Sequence, residues 1–147
     1  MKYFLLSLFT LFFFTACDGP SLSGKTITKE YYTGGQVRTE YIMDDKAGRN
    51  GIIKRYGYEG NVISIEPIRN GVKHGKVKLY NEKGLVIRIT PYVNGRIEGT
   101  QKDLYENGDV MATIPYKNGI RNGVAYLYRK DGSVARRVTF KNNRMQN

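Results

Sequence analysis

The sequence predicts an all-β protein: an elongated, twisted antiparallel meander of stacked β-hairpin repeats with a 24-residue period, preceded by a signal peptide. Glycines recur in three interleaved series at that period: Gly51, Gly75, Gly99 and Gly123; Gly60, Gly84, Gly108 and Gly132; and Gly71, Gly95 and Gly119, with Asn143 in the next place. One period shared by three series marks one structural unit copied along the chain. The runs between the glycines are rich in Val, Ile, Thr and Tyr, which suit a pleated strand. Each unit carries two short turn signals, and turns that short make neighbouring strands antiparallel.

Composition narrows the class. At 147 residues the chain has the size of one domain. Its 12 Tyr and 6 Phe argue against disorder, and 17 Gly with only 4 Pro exclude a collagen-like repeat. The 24 basic residues outweigh 13 acidic ones, for a net charge of +11. Such an excess attracts anionic partners: phospholipid head groups, acidic envelope polymers or acidic proteins. Nucleic acid is not an expected partner, because the N-terminus addresses the chain to the cell envelope.

Residues 1–16 read as that address. Lys2 gives a positive start, Tyr3 to Phe14 is almost wholly apolar, and small residues precede Cys17. This is the layout of a secretory signal, and the run is too short for a stable membrane span, which takes about 20 residues. Phe14-Thr15-Ala16-Cys17 resembles a bacterial lipobox, with Phe14 where Leu is usual. Cys17 is the sole cysteine, so no intrachain disulfide can form, and the resemblance makes it the lipid-attachment residue. Residues 17–25 form a lipid-anchored tether of turn-forming residues that keeps the domain close to the membrane. Two or more acyl chains on Cys17 hold a protein firmly to a bilayer.

Residues 26–147 form the repeat domain. A first strand spans Thr26 to Tyr32, a degenerate first copy surrounds Gly35 and is about one residue longer than the rest, and four regular copies follow. In each regular unit a polar residue and glycine (Glu59-Gly60, Lys83-Gly84, Asn107-Gly108, Asp131-Gly132) precede a long strand. Asn-Gly (Asn70-Gly71, Asn94-Gly95, Asn118-Gly119) then starts a hairpin into a short one. About ten strands result. Val62, Val86, Val110 and Val134 stand six residues before Ile68, Tyr92, Tyr116 and Phe140. The even offset predicts one shared apolar face, with Ile63, Ile65, Ile87 and Ile89 on the other. Tyr56, Tyr80 and Tyr128 read as sheet packing. Pro67, Pro91 and Pro115 recur at the same period and mark a bulge, or a spot without a ladder N–H, in each unit.

The pattern G-x-V-x-x-x-x-P-Y-x-N-G-x-x-x-G, followed by a short strand ending in Tyr and another glycine turn, resembles the variant form of the MORN repeat (membrane occupation and recognition nexus). Bacterial proteins with this variant are grouped as antitoxin-like or as MORN-repeat lipoproteins. The resemblance spans about four copies. It implies stacked hairpins in a twisted sheet, and scaffolding or membrane-proximal recognition rather than chemistry. The chain departs from the family pattern at the strand centre, where Arg88, Ala112 or Arg136 replaces the usual glutamate, and in its recurring proline.

No constellation for catalysis emerges. His74 is the only histidine and lies in a turn; Ser64 and Ser133 lack a nucleophile setting; Asp44-Asp45 sits in an irregular loop. No phosphate loop, cofactor motif or metal-ligand spacing is present. The reading is a non-enzymatic lipoprotein of the bacterial cell envelope, without cofactor or metal, held to the membrane through lipidated Cys17 and binding a protein partner. An antitoxin-like protein that neutralises an acidic partner is the alternative.

Overall fold

The computed structural model describes residues 24–146; the expected signal segment, Cys17 and most of the expected tether lie outside the described residues. Within that range the chain forms one open sheet of fourteen strands, every pairing antiparallel. The strands are β1 (Thr26–Tyr31), β2 (Val37–Met43), β3 (Gly51–Tyr56), β4 (Val62–Arg69), β5 (Val72–Lys73), β6 (Gly75–Tyr80) and β7 (Val86–Val93). They continue as β8 (Arg96–Ile97), β9 (Gly99–Leu104), β10 (Val110–Lys117), β11 (Ile120–Arg121), β12 (Gly123–Tyr128), β13 (Val134–Lys141) and β14 (Arg144–Gln146). Eleven of them form the path β1-β2-β3-β4-β6-β7-β9-β10-β12-β13-β14. The two-residue strands β5, β8 and β11 pair only with β4, β7 and β10. The expected count of about ten strands missed these short pieces, because the return from each Asn-Gly turn breaks in two.

The break has a local cause. After the turn, Ile68 pairs with Lys73 and Arg69 with Val72, and the His74 N–H donates to the Pro67 carbonyl at 3.0 Å. The missing N–H of Pro67 points to that same side, where the chain turns away to pair with the next unit. Gly75 opens β6 with φ of 110°, and a Cβ there would lie 3.5 Å from Pro67 Cβ. Gly99 beside Pro91 and Gly123 beside Pro115 repeat the arrangement. The 24-residue recurrence of proline and that of Gly75, Gly99 and Gly123 are therefore one packing contact, whereas Gly51 packs on Ile42 and Met43.

Hairpins close differently at the two rims. At one rim, Asn70 and Gly71 have φ of 52° and 78°, Asn94 and Gly95 48° and 80°, and Asn118 and Gly119 52° and 84°. Positive φ at both central residues is the two-residue turn that matches strand twist. Asn142-Asn143 adopts it too, with 51° and 66°. These tips are laddered: the N–H groups of Gly71, Gly95, Gly119 and Asn143 donate to the carbonyls of Arg49, Lys73, Ile97 and Arg121. At the other rim, Gly60 donates to the Gly57 carbonyl and Gly57 to that of Asn61, and Gly84, Gly108 and Gly132 hold the matching place. That is a turn followed by one left-handed glycine.

The face assignment differs from the sequence expectation. Tyr56 pairs with Val62, but Arg55 pairs with Ser64, so Ile63 is an extra residue in a bulge. The same slip falls at Ile87, Met111 and Ala135. A bulge reverses the side on which alternation continues. Val62, Val86, Val110 and Val134 therefore lie on the opposite face from Ile68, Tyr92, Tyr116 and Phe140, and share their face with Ile65 and Ile89. All eight residues buried among those described (Thr39, Met43, Ser64, Glu66, Val77, Thr90, Gln101 and Ala125) lie on the Ile68 side, called here the packed face. Five of the eight are polar, so its centre is held by hydrogen bonds as much as by apolar contact.

Candidate binding surface

On the packed face, acids and bases satisfy one another. Glu66 Oε1 accepts from the Ser64 hydroxyl at 3.0 Å and from Arg55 Nε at 3.1 Å. Lys73 Nζ stands 3.1 Å from Oε2 as an ion-pair partner without an aligned hydrogen bond, and also 5.5 Å from the centre of the Tyr92 ring. Burial pushes the Glu66 carboxyl up, but Lys73, Ser64 and Arg55 together outweigh it and hold its pKa below the ordinary value. One unit further, Arg88 grips Asp103 through both Nε and a terminal nitrogen, the latter at 2.9 Å. Gln101 donates to the same carboxylate at 3.2 Å. Near β1, Glu30 binds Arg38 and Tyr41.

The other face is sorted differently. Cross-strand pairing aligns one row through the sheet: Lys29, Glu40, Lys54, Ile65, Lys78, Ile89, Lys102, Thr113, Tyr126 and Arg137. Glu40 is occupied by Lys29 Nζ at 3.4 Å and by the Tyr56 hydroxyl at 2.9 Å. Burial and that hydrogen bond push the Tyr56 phenol up to about 12. From β3 onward no strand residue on this face is acidic, and among the described residues Lys54, Lys78 and Lys102 are in no ion pair. Lys78 and Lys102 are exposed. One flanking row pairs Tyr56 with Val62, Tyr80 with Val86 and Tyr128 with Val134; the other carries Pro67, Pro91 and Pro115.

Charged side chains of both signs gather at the rims, the loop rim holding Lys83, Arg129 and Lys130 beside its acids and the tip rim Glu98 beside its bases. Glu59, Glu82, Glu106, Asp109 and Asp131 gather at the three-residue loops, where an open hollow is lined by Tyr58, Ile63, Tyr80 and Glu82. Arg69, Lys73, Arg96, Lys117, Arg121 and Lys141 gather at the opposite rim.

The residues singled out in the sequence fall as follows. Gly60, Gly84, Gly108 and Gly132 lie in the loop rim, Gly71, Gly95 and Gly119 in the tip turns, and Gly51, Gly75, Gly99 and Gly123 open β3, β6, β9 and β12. His74 Nδ1 faces the N–H of Asn94 at 3.4 Å, a long contact between successive tips. The equivalent Glu98 carboxylate accepts from Asn118 at 2.6 Å. Asp45 caps its loop by accepting from the Arg49 and Asn50 N–H groups, and Asp44 pairs with Lys25. The Ser64 hydroxyl is spent on Glu66 and that of Ser133 on Asp131. None of these groups converges on another. The lysine row was missed in the sequence although Lys54, Lys78 and Lys102 keep the 24-residue period; its significance comes from the absence of strand acids on that face from β3 onward.

Residues 97–118 match the family model described as the MORN repeat variant. No curated protein matches the chain. The matched segment runs from the end of β8 through β9, the loop and β10 to the turn residue Asn118. The same course is taken by residues 73–94 and 121–142, and by residues 49–70 from Gly51 onward, where no short strand precedes β3. The match covers one unit of a structure that repeats it, and supports a likeness to the MORN-repeat family.

Proposed function

We propose that this protein is a non-enzymatic binding module of the bacterial cell envelope, anchored to the membrane through lipidated Cys17 and recruiting a protein partner on its sheet. The observation that carries the reading is the copied hairpin unit. Stacked units extend a surface rather than enclose a pocket, and repeat proteins use such surfaces for recognition. The polar groups that chemistry would need are engaged in holding the sheet and its turns together. Anchoring rests on the lipobox-like Phe14-Thr15-Ala16-Cys17 and the sole cysteine.

Labelled palmitate combined with cell fractionation tests the anchor. Label in the membrane fraction that disappears in Cys17→Ala is the expected result. A second reading, an antitoxin-like protein that neutralises an acidic partner, is favoured by the unpaired lysines on one face. Soluble, unlabelled wild-type protein would overturn the anchored reading in its favour.

A further inference from the structure

We propose that the row Lys54, Lys78 and Lys102 is a docking track for an extended, acidic, proline-rich polypeptide with a carboxylate at every third residue. The inference rests on the binding-module reading and adds the chemistry of the partner. Cross-strand partners stand about 4.8 Å apart, so lysines on every second strand repeat at about 9.6 Å. A polyproline II chain has three residues per turn and rises about 3.1 Å per residue, which returns one side of the chain every 9.3 Å or so. Acidic residues spaced by three thus meet successive lysines in register. A β-strand ligand cannot do this, because its third residue points to the opposite side.

The surroundings favour the same ligand. Ile65 and Ile89 lie between the lysines in the row, and the tyrosine row runs beside it. Proline-rich segments dock on aromatic-lined surfaces, and their preformed conformation loses little entropy on binding. Sheet twist fans successive lysines by about 40–50°, which the ligand takes up at about 15° per residue, within ordinary dihedral scatter. A single line of cations flanked by apolar rows fits a linear partner better than a planar bilayer. Glu66 and Asp103 are on the packed face, held by Arg55, Lys73 and Arg88, and Glu40, the one acid in the row, is engaged by Lys29 and Tyr56.

The test uses the full chain in detergent and fluorescein-labelled peptides made of Glu-Pro-Pro repeats. The control peptide has the same composition, with its glutamates grouped at one end. The periodic peptide should bind more tightly than the grouped one. A Lys78→Ala/Lys102→Ala double variant should weaken it by about fivefold through loss of two exposed ion pairs. Lys46→Ala/Arg136→Ala, which changes the same net charge away from the row, Arg136 being exposed on the packed face, should leave it unaltered. Equal binding of the two peptides, or equal losses in the two double variants, would overturn the track. So would phosphatidylglycerol vesicles that depend on the row while the periodic peptide does not. Capture of an envelope partner that persists in Lys78→Ala/Lys102→Ala overturns the track and leaves the binding-module reading standing. Periodic-peptide binding without any envelope partner would count against that reading and not against the track.

Discussion

Glu66→Gln tests how far an ionic cluster stabilises a sheet with so few buried apolar residues. The Glu66 side chain is 7% exposed, whereas its partners Arg55 and Lys73 are 46% and 40% exposed. A hydrogen bond to a charged group contributes about 1.5–3 kcal/mol, but both cations regain water when the carboxylate is neutralised, and glutamine keeps one acceptor. The net cost at neutral pH is therefore about 1–2 kcal/mol, or roughly 4 °C in Tm per kcal/mol for a domain of this size. The pH dependence gives the sharper check. The folded Glu66 pKa lies below its ordinary 4.5, so its contribution is fully present above that value. It is lost as pH falls through the depressed folded value, because the unfolded chain then binds the proton more readily. Urea melts of wild type and variant should differ near neutrality and converge as pH falls below 4.5 and through the depressed folded value. A gap that stays constant across that range would refute the assignment of the stabilisation to the ionised carboxylate.

Three further outcomes follow from the turns and rungs. Gly95→Val should destabilise more than Val86→Ala, since a φ of 80° costs a non-glycine residue about 1–2 kcal/mol, more when β-branched, while Val86 is only half-buried. Circular dichroism melts that rank the two variants equally would remove the turn assignment. Gly51→Ala should cost about 3 kcal/mol or more, because its Cβ would lie 2.2 Å from the Ile42 carbonyl oxygen and 2.8 Å from Met43 Cα. Gly60→Ala, with open space around its Cβ, should cost about 1 kcal/mol, and equal denaturation midpoints would contradict both geometries. Tyr105→Phe removes a 2.7 Å hydrogen bond to the Tyr128 carbonyl and should cost about 0.5–1.5 kcal/mol, read as a lower urea midpoint with an unchanged m-value.

Periodicity alone was enough to establish an all-β meander of copied hairpins. Spacing along the chain reports how often a unit recurs, and Val, Ile, Thr and Tyr between glycine turns leave few alternatives to antiparallel strands. The identity of the faces could not be read in the same way. One extra residue at Ile63, repeated at Ile87, Met111 and Ala135, reverses the alternation, and nothing in those residue types announces a bulge. The even offset from Val62 to Ile68 therefore pointed to one shared face when the two lie on opposite sides. Burial of Glu66, Thr90 and Gln101 was equally hidden, because a polar residue is placed inside only by partners that the pairing brings to it. The lysine row has the same origin: the 24-residue spacing of Lys54, Lys78 and Lys102 is in the sequence, but only strand register puts them in one line on a face whose strands carry no acid from β3 onward, while Arg55, Lys73 and Arg88 hold Glu66 and Asp103 on the other.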